Sequence, residues 1–313
     1  VGKNFRISDS SSAGGPEVTH SVDGTDDFAV KGGFSVNWTD TYDCTELGVQ
    51  CDGNERMVYG KTFNATASSL HSADTRVSML WKNAGNYAGN DEGQHKIITL
   101  STGNLFHVFH DADATNNNET KILGKEPPPH FVEDENNSNI IYLCGYLDFA
   151  PYSGYCNYPS LAALDDGSFI VAYRKTYNSV GYKSVFTRCK GTKCAVPGSS
   201  ALSHTTYVTI HPAAEIESSS LTVQPRVSKM TNNRFIITYR HNNGSVDDEA
   251  YGKIYTYTPY TDDDDLGSIT EGSEFKIDSN TGGREVDAIG SFSDGGYVLT
   301  WEQDSNILME IFN

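Results

Sequence analysis

Three acidic residues near the start of predicted strands are the side chains of this sequence best placed to do chemistry. They are Glu17, Glu285 and Asp287. Two carboxylates held about 5 to 9.5 Å apart can hydrolyse a glycosidic bond, one as an acid and the other as a base or nucleophile. No further segment supplies a partner for them, so glycoside hydrolysis is the third of three functional interpretations.

Other catalytic patterns are absent from the sequence. It contains no GxSxG motif and no glycine loop of the phosphate-binding type. His107 and His110 are three positions apart on a predicted strand and therefore point to opposite faces, which makes them a poor pair of metal ligands. The sequence therefore predicts a protein that is not an enzyme and has no cofactor.

A calcium site is the one metal site that the sequence offers. Asp111 and Asp113 match the first two ligands of a DxDxDG loop, but Thr115 stands where a third Asp or Asn would, and no Gly follows. A solvated loop is the competing interpretation, and these mismatches favour it. The acidic run 262–265 is interpreted in the same way, because four consecutive carboxylates repel one another and cannot converge on one ion.

Composition excludes two classes of partner. The chain has 313 residues and a formal net charge of −18, and its Lys and Arg residues are not clustered, which argues against nucleic-acid binding. No apolar run approaches the roughly 18 residues of a membrane helix, so membrane insertion is not expected. The chain begins with Val1 rather than Met, so we expect that a leader was removed or precedes this sequence.

The six cysteines fall into three close pairs, which predicts three local disulfides and a secreted protein. The pairs are Cys44 and Cys51, Cys144 and Cys156, and Cys189 and Cys194. A zinc site is the alternative, but no CxxC spacing or nearby His pair supports it.

Five Asn-x-Ser/Thr sequons mark potential glycans on a secreted protein. Asn37 lies inside a predicted strand and is not expected to carry sugar. The other four lie in polar stretches predicted to be loops, and they are Asn64, Asn118, Asn136 and Asn243.

An aromatic segment spans residues 142–159 and would be closed into a loop by Cys144 and Cys156. The candidates for contact with a glycan or a partner are Tyr146, Tyr152 and Tyr155. Flat amphipathic rings on a closed loop suit contact with a glycan or a partner protein. They equally suit packing beneath a long loop, which is the favoured interpretation.

A turn followed by an apolar strand recurs five times. The copies are KGGFSVNW ending at Trp38, TGNLFHVF at Phe109, DGSFIVAY at Tyr173, NNRFIITY at Tyr239 and DGGYVLTW at Trp301. The intervals range from 62 residues (Tyr239 to Trp301) to 71 residues (Trp38 to Phe109). Repeats of this length indicate an array of supersecondary units.

Four strands can be recognised in most units, which predicts an all-β fold: one five-bladed β-propeller of four-stranded antiparallel blades, formed by residues 1–313. The fifth unit lacks its fourth strand. Residues 1–8 would complete it, because Phe5 aligns with Phe275 and Ile7 with Ile277. Residues 9–16 form a Ser/Gly tether, so this strand could close its own ring or be donated to a neighbour.

The unit DGG-aromatic-V-x-T-W resembles the propeller-type repeats of large secreted and cell-surface proteins. The resemblance covers nearly the whole chain, although the second copy departs most, with Asn104 in its turn. It implies a propeller in an extracellular setting and carries no catalytic residues.

These patterns together predict a secreted, non-enzymatic glycoprotein module with a structural, self-assembling role. The sharpest form of the hypothesis is a head-to-tail fibre linked by donation of the N-terminal strand. A lectin-like module that binds glycans is the alternative, and a glycoside hydrolase is the third interpretation.

Overall fold

A computed structural model gives the fold of the chain. It describes residues 14–20, 33–41, 56–63, 75–76, 95–101, 105–113, 117–125, 140–144, 156–177, 181–190, 193–194, 208–209, 224–241, 249–259, 268–277, 286–303 and 306–312. The chain divides into two compact units, Val1–Ile141 and Tyr142–Asn313. In the described ranges the regular secondary structure is entirely β, which confirms the predicted all-β class.

Two antiparallel sheets belong to the first part of the chain. The first sheet has the strands β1 (Gly14–His20), β2 (Phe34–Thr41), β3 (Arg56–Phe63) and β4 (Thr75–Arg76). The second sheet has β5 (His95–Thr99), β6 (Leu105–Asp113), β7 (Asn117–Lys125) and β8 (Ile140–Cys144). Each strand pairs with the next strand in the chain, so both sheets are simple meanders.

Three further antiparallel sheets follow. The third sheet has β9 (Cys156–Ala163), β10 (Phe169–Tyr177), β11 (Gly181–Lys190), β12 (Lys193–Cys194) and β13 (Val208–Thr209). The fourth sheet has β14 (Arg226–Met230), β15 (Arg234–His241), β16 (Glu249–Tyr257) and β17 (Ile269–Lys276). The last sheet has β18 (Val286–Ser291), β19 (Tyr297–Gln303) and β20 (Asn306–Phe312).

Tight turns join the first two strands of the later sheets, at the positions that the sequence predicted. Gly167 and Gly295 have φ angles of 79° and 99°, a region that glycine enters without steric cost. Asn232 and Asn233 have φ angles of 59° and 54°, which asparagine tolerates better than most residues. Turn chemistry therefore fixes where each first strand reverses into its second.

The core of the second unit fills the spaces between neighbouring sheets. On β15, Phe235, Ile237 and Tyr239 belong to an apolar cluster shared with the third sheet. The intervening Ile236 belongs to a second cluster, which is shared with the last sheet. Side chains alternate across a strand, so the fourth sheet is covered on both faces.

The first unit packs in a similar way along its first strands. β1 and β5 lie side by side, and the Thr99 amide donates a hydrogen bond of 3.1 Å to Thr19 Oγ1. Val36, Trp38 and Phe63 form a buried apolar cluster on the first sheet.

The predicted strands are confirmed throughout the described ranges, although residues 76–81 and 205–211 yield only the two-residue strands β4 and β13. The short strand β12 was not predicted. One predicted loop is wrong. Asp111 and Asp113 lie within β6, opposite Glu119 and Asn117 of β7.

Asn118, predicted to lie in a loop, is therefore also a strand residue, opposite Ala112. The polar residues at the end of β6 and the start of β7 can form paired strands because each strand needs only a partner for its backbone groups.

Candidate functional site

Five polar side chains on one face of the fourth sheet form the most developed group of ionisable residues among the described positions. We call it the carboxylate–tyrosine cluster, and its members are Tyr239, Lys253, Tyr255, Glu271 and Glu274. They lie on three adjacent strands, β15, β16 and β17. Ionisable groups gathered in this way mark a candidate functional site.

A β-bulge places both carboxylates on the same face. Glu271 is opposite Tyr255 and Glu274 is opposite Lys253, and the register shifts between these two pairs. Residues three apart on a regular strand point to opposite faces, whereas the extra residue of a bulge restores a common face. Lys253 and Tyr255 are two residues apart, so their partners' backbones lie about 7 Å apart along the strand.

Glycine is required inside this bulge. A Cβ atom added to Gly272 would lie 2.5 Å from the carbonyl oxygen of Ile254, far inside contact distance. Any side chain there would push the two strands apart or remove the bulge. The sequence Glu-Gly therefore links the local backbone geometry to the position of Glu271.

An ion pair holds the first carboxylate. Lys253 Nζ donates a hydrogen bond to Glu271 Oε1. The Lys253 side chain is 8% exposed and the Glu271 side chain 47% exposed, so the ammonium lies within the sheet packing while the carboxylate reaches solvent. A half-exposed pair of this kind contributes little to stability, about 1 kcal/mol or less, but it fixes a side-chain position.

A tyrosine holds the second carboxylate. The Tyr239 hydroxyl donates a hydrogen bond to Glu274 Oε2. Burial raises the pKa of Tyr239, and the bond to Glu274 raises that pKa further. Tyr239 is therefore a neutral donor across the physiological pH range.

Tyr255 is the unusual member of the cluster. It is fully buried, and its hydroxyl has no hydrogen-bond partner among the described residues. Burial raises the pKa of Tyr255, and the charges of Glu271 and Glu274 raise it further. A buried hydroxyl without a partner costs roughly 1 to 3 kcal/mol, so its retention at this position needs an explanation.

Aromatic packing keeps the Tyr255 ring in place. The ring stacks on Phe235 with centroids 5.0 Å apart and meets the edge of Phe186 at 5.0 Å. The phenol is thereby held rigidly beside the two carboxylates. The cluster combines two acceptors, an ammonium and two hydroxyl donors, which is a suitable set for binding the hydroxyl groups of a sugar.

A second polar cluster, around Arg188, is structural. Arg188 Nη2 lies 2.5 Å from Asp166 Oδ2, its Nε donates to Ser168 Oγ at 3.0 Å, and its Nη1 donates to the Thr258 carbonyl at 3.1 Å. The guanidinium also lies 4.9 Å from the centroid of the Tyr257 ring. Each nitrogen has a partner, so the group ties the β9–β10 turn to the end of β16 and offers little to a ligand.

A third polar cluster lies in the first unit. Asn37 and His107 are joined by a 3.2 Å hydrogen bond between the amide nitrogen and Nδ1. Burial lowers the pKa of His107 to about 3, with a further contribution from His95. The imidazole is therefore neutral and serves as a buried hydrogen-bonding group. Asn37 is fully buried within β2, as expected of a sequon without a glycan.

Only some of the predicted site residues lie in the described ranges. Cys189 is disulfide-bonded and lies opposite Cys194, and none of the described cysteines is free. Cys144 and Cys156 lie on β8 and β9. Predicted residues outside the described ranges are Cys44, Cys51, Asn64, Asn136, Asn243, Phe5, Ile7, Tyr146, Tyr152 and Tyr155.

Among the described residues, no group of three or more potential metal ligands comes together, and calcium binding by Asp111 and Asp113 stays a prediction. No described helix is long and apolar enough to cross a membrane.

Glu17 and Asp287 lie on the first strands β1 and β18, as predicted, whereas Glu285 is not described. Sequence reasoning missed Glu271 and Glu274, because a spacing of three hides their shared face. The signal available was Gly272, next to an acidic residue inside an apparent strand.

Comparison with known proteins gives likeness in fold alone. No family model and no curated protein matches the chain. Among solved structures, the Hadza microbial sialidase Hz136 matches with a TM-score of 0.50 and 10% identity, over 96% of this chain and 52% of that one.

Two further matches are more distant. The K499G mutant of NanB sialidase from Streptococcus pneumoniae matches with a TM-score of 0.46 and 13% identity, over 80% of this chain and 33% of that one. An α-L-arabinanase from Penicillium chrysogenum, complexed with arabinobiose, matches with a TM-score of 0.43 and 11% identity, over 96% of this chain and 93% of that one. The chain thus spans between a third and about half of the two sialidases.

These neighbours correct the functional prediction. A non-enzymatic, self-assembling module was expected, whereas the solved structure that matches with a TM-score of 0.50 is a sialidase. The prediction of a structural fibre module is therefore wrong. At 10–13% identity the neighbours leave open whether this chain is an enzyme.

Proposed function

We propose that this protein is a glycoside hydrolase whose two carboxylates are Glu271 and Glu274. One observation carries the proposal: a β-bulge puts both glutamates on one face of β17, opposite residues two positions apart on β16. That register separates their backbones by about 7 Å. Glutamate side chains that start about 7 Å apart on one face can place their carboxyl groups within the separation of about 5 to 9.5 Å that retaining and inverting glycoside hydrolysis requires.

The surrounding side chains support this role. Lys253 orients the Glu271 carboxylate, and Tyr239 orients the Glu274 carboxylate. Both carboxylates are therefore already ordered before a substrate binds. The Tyr255 hydroxyl is a buried donor beside both of them. Because this hydroxyl is fully buried, it reaches a sugar oxygen only if the side chains around it move when a substrate binds.

Charge narrows the substrate class. The chain carries a formal net charge of −18, so its surface repels anions. The cluster itself contains two carboxylates and one ammonium. We therefore propose neutral oligosaccharides as substrates in preference to acidic ones.

Release of reducing sugar from a panel of neutral oligosaccharides tests the proposal. Glu271→Gln and Glu274→Gln should each lower kcat by about a hundredfold or more, because one of the two carboxylates is lost. Glu310→Gln is the matched control: it is an exposed glutamate on β20 and should keep full activity. Loss of activity in Glu17→Gln and Asp287→Asn, but not in the β17 variants, would move the site to the first strands.

A second experiment separates function from stability. Removing the buried Tyr255 hydroxyl in Tyr255→Phe should raise the free energy of unfolding by about 1 kcal/mol, because an unpaired donor disappears. If the hydroxyl contacts the substrate, the same variant should lose activity. A variant that is both more stable and fully active would remove Tyr255 from the site.

We propose a five-bladed propeller as the finer arrangement of the five sheets, with the last blade completed by the N-terminal strand. The meander order of the described strands in the first, second, fourth and last sheets supports it. A secreted, disulfide-bonded glycoprotein is the matching setting, supported by Cys189 and by the buried position of Asn37, the one sequon not expected to carry sugar. Intact-mass measurement before and after enzymatic deglycosylation tests it, and an unchanged mass would contradict it.

A further inference from the structure

The first strand of the third sheet contains a strained aromatic residue. Tyr158 has a φ angle of 56°, a region that bulky side chains seldom enter. The register of β9 against β10 shifts at the same place, because one extra residue of β9 lies between the partners of Ala172 and Arg174. A bulge of this kind re-aims a side chain, and backbone strain of this kind is concentrated at ligand-binding positions.

The Tyr158 ring supports a guanidinium group. The Cζ atom of Arg174 lies 4.5 Å from the centroid of this ring, and both side chains are partly exposed. Stacking engages the flat face of the guanidinium and fixes its plane. The N–H groups lie in that plane and are directed toward polar partners at its rim. The bulge therefore holds Arg174 in a fixed orientation for hydrogen bonding.

The third and fourth sheets are aligned side by side along their first strands. The Val227 amide on β14 donates a hydrogen bond of 3.0 Å to Ser160 Oγ on β9. Further along the chain from each of these residues, Lys229 Nζ lies 2.5 Å from Asp165 Oδ1. β9 and β14 therefore run parallel, and so do their antiparallel partners β10 and β15.

This alignment also sets the level of the second strands. Ser160 pairs with Ala172 on β10, and Val227 pairs with Ile237 on β15. Ala172 and Ile237 are therefore at the same level, and both belong to the apolar cluster between the two sheets.

Arg174 faces the carboxylate–tyrosine cluster across the space between these sheets. Arg174 and Tyr239 lie two residues beyond Ala172 and Ile237, on the same faces of their strands. Tyr239 donates its hydrogen bond to Glu274, which is exposed, so this end of the space is open to solvent. The guanidinium and the carboxylate thus lie on opposite walls of one space.

Charge decides which kind of ligand fits between these walls. The space holds two carboxylates, Glu271 and Glu274, and two cations, Lys253 and Arg174, so its charges balance. An anionic ligand would upset this balance in a chain whose formal net charge is already −18. A neutral sugar offers adjacent hydroxyl groups, which accept hydrogen bonds from a guanidinium and donate hydrogen bonds to a carboxylate.

We propose that Arg174 binds adjacent hydroxyl groups of a neutral oligosaccharide that lies between the third and fourth sheets, opposite Glu274. This inference rests on the proposed function and deepens it, because the oligosaccharide is the substrate of the same site. Arg174 binds the sugar away from the bond that is cleaved. Tyr158 is a positioning residue that acts through Arg174.

Steady-state hydrolysis of neutral tetrasaccharides tests the role of Arg174. Arg174→Gln should raise KM by about tenfold and change kcat by less than about twofold, because the lost hydrogen bonds hold the substrate equally in the ground state and the transition state. Lys229→Gln is the matched control: it removes one positive charge at the opposite end of the same two sheets and should keep the original KM. An unchanged KM in Arg174→Gln, or a fall in kcat alone, overturns the proposal.

Two variants of the stacked ring cover the case in which Arg174→Gln fails to fold. Tyr158→Phe keeps a ring against the guanidinium and should keep the original KM, whereas Tyr158→Ala should raise KM by about threefold. Equal KM values in these two variants overturn the positioning role of Tyr158.

Calorimetric binding separates this inference from the proposed function. Glu274→Gln is titrated with the same tetrasaccharides, and adding Arg174→Gln should weaken binding by about tenfold. If the original chain hydrolyses these sugars and Arg174→Gln does not weaken binding, the proposed function stands and this inference falls. If no sugar is hydrolysed but Arg174→Gln weakens binding, the sugar site stands without the catalytic role of Glu274.

The same titration tests the ligand class. Tighter binding of a tetrasaccharide of uronic acids than of neutral tetrasaccharides would mean that Arg174 pairs with a carboxylate, and would overturn the proposal. Absence of binding by every neutral tetrasaccharide would overturn it as well.

Discussion

The fourth and last sheets begin with the same three-strand pattern and differ in the strand that follows it. In the fourth sheet β17 follows β16, and Ala250 on β16 is 4% exposed. In the last sheet no fourth strand is described, and the equivalent Ile307 is 72% exposed. One added strand therefore changes an open apolar edge into core.

The same strand also creates the candidate site. Glu271 and Glu274 both lie on β17, and their partners Lys253 and Tyr239 lie on the strands beneath it. In the last sheet, Glu310 occupies the place of Lys253 and Trp301 the place of Tyr239. The two sheets thus share their packing while their polar residues differ, so the candidate site belongs to one sheet and not to the fold as a whole.

The strongest way to break this comparison is to remove a core aromatic residue. Phe235→Ala should lower the free energy of unfolding by about 4 kcal/mol, because the ring is fully buried and packs against Tyr255 and Phe186. Ile311→Ala, on the open face of the last sheet, should cost about 0.5 kcal/mol. Equal losses in chemical denaturation would mean that the two faces are equally covered.

A smaller loss of stability is expected when a methyl group is added in the space beneath β17. Gly252→Ala should lower the free energy of unfolding by about 2 kcal/mol, because its new methyl group meets the Phe275 ring. Gly290→Ala in the last sheet should cost less, since its Cβ atom would lie 3.1 Å from a Val298 methyl group. Thermal melting of the two variants gives the comparison, and a larger loss for Gly290→Ala would contradict it.

Alkaline pH should weaken the fourth sheet. Burial raises the pKa values of Tyr239 and Tyr255 above the value of about 10 expected in an unfolded chain. Above pH 10 the unfolded state therefore loses protons that the folded state keeps, and the stability present below that pH is lost as the pH rises. Each tyrosine should contribute about 1 kcal/mol of loss between pH 10 and 11.

The control for this pH dependence is built from the same residues. The double variant Tyr239→Phe/Tyr255→Phe should show a shallower fall in unfolding free energy over this range. Burial also raises the pKa of Tyr297 in the last sheet, so Tyr297→Phe should likewise make the fall shallower. If the unfolding free energy of the double variant falls with pH as steeply as that of the original chain, the two phenols ionise as readily in the folded chain as in the unfolded one.

The smallest effect concerns the ion pair. Lys253→Gln should change the free energy of unfolding by less than about 1 kcal/mol, because its partner Glu271 is half exposed and screened by solvent. The difference from the original chain should shrink in high salt. A loss of several kcal/mol at any ionic strength would mean that Lys253 supports the packing of the sheet and does more than orient a carboxylate.

Most of the strand order could be predicted from the sequence, since turn residues and alternating apolar side chains both act locally. Gly167, Gly295 and the Asn232–Asn233 pair reverse the chain where the pattern indicated. The candidate site could not be predicted in the same way. Glu271 and Glu274 share a face only through a bulge, and a bulge depends on pairing with a strand more than ten residues away.

The burial of polar side chains could not be predicted from the local sequence pattern either. Arg188 reads as a surface residue at the end of a strand, yet it is 2% exposed because Asp166, Ser168 and the end of β16 surround it. The predicted fibre role failed for a related reason. It was inferred from the missing fourth strand of the last sheet. A missing strand carries no information about the chemistry of the sheet beside it.

The rate of neutral oligosaccharide hydrolysis by Glu274→Gln, measured beside the original chain at equal concentration, tests the central claim most directly. We predict measurable turnover by the original chain and at least a hundredfold slower turnover by the variant, with both proteins equally folded. Turnover by Glu274→Gln at the original rate would contradict the assignment of β17 as the catalytic strand.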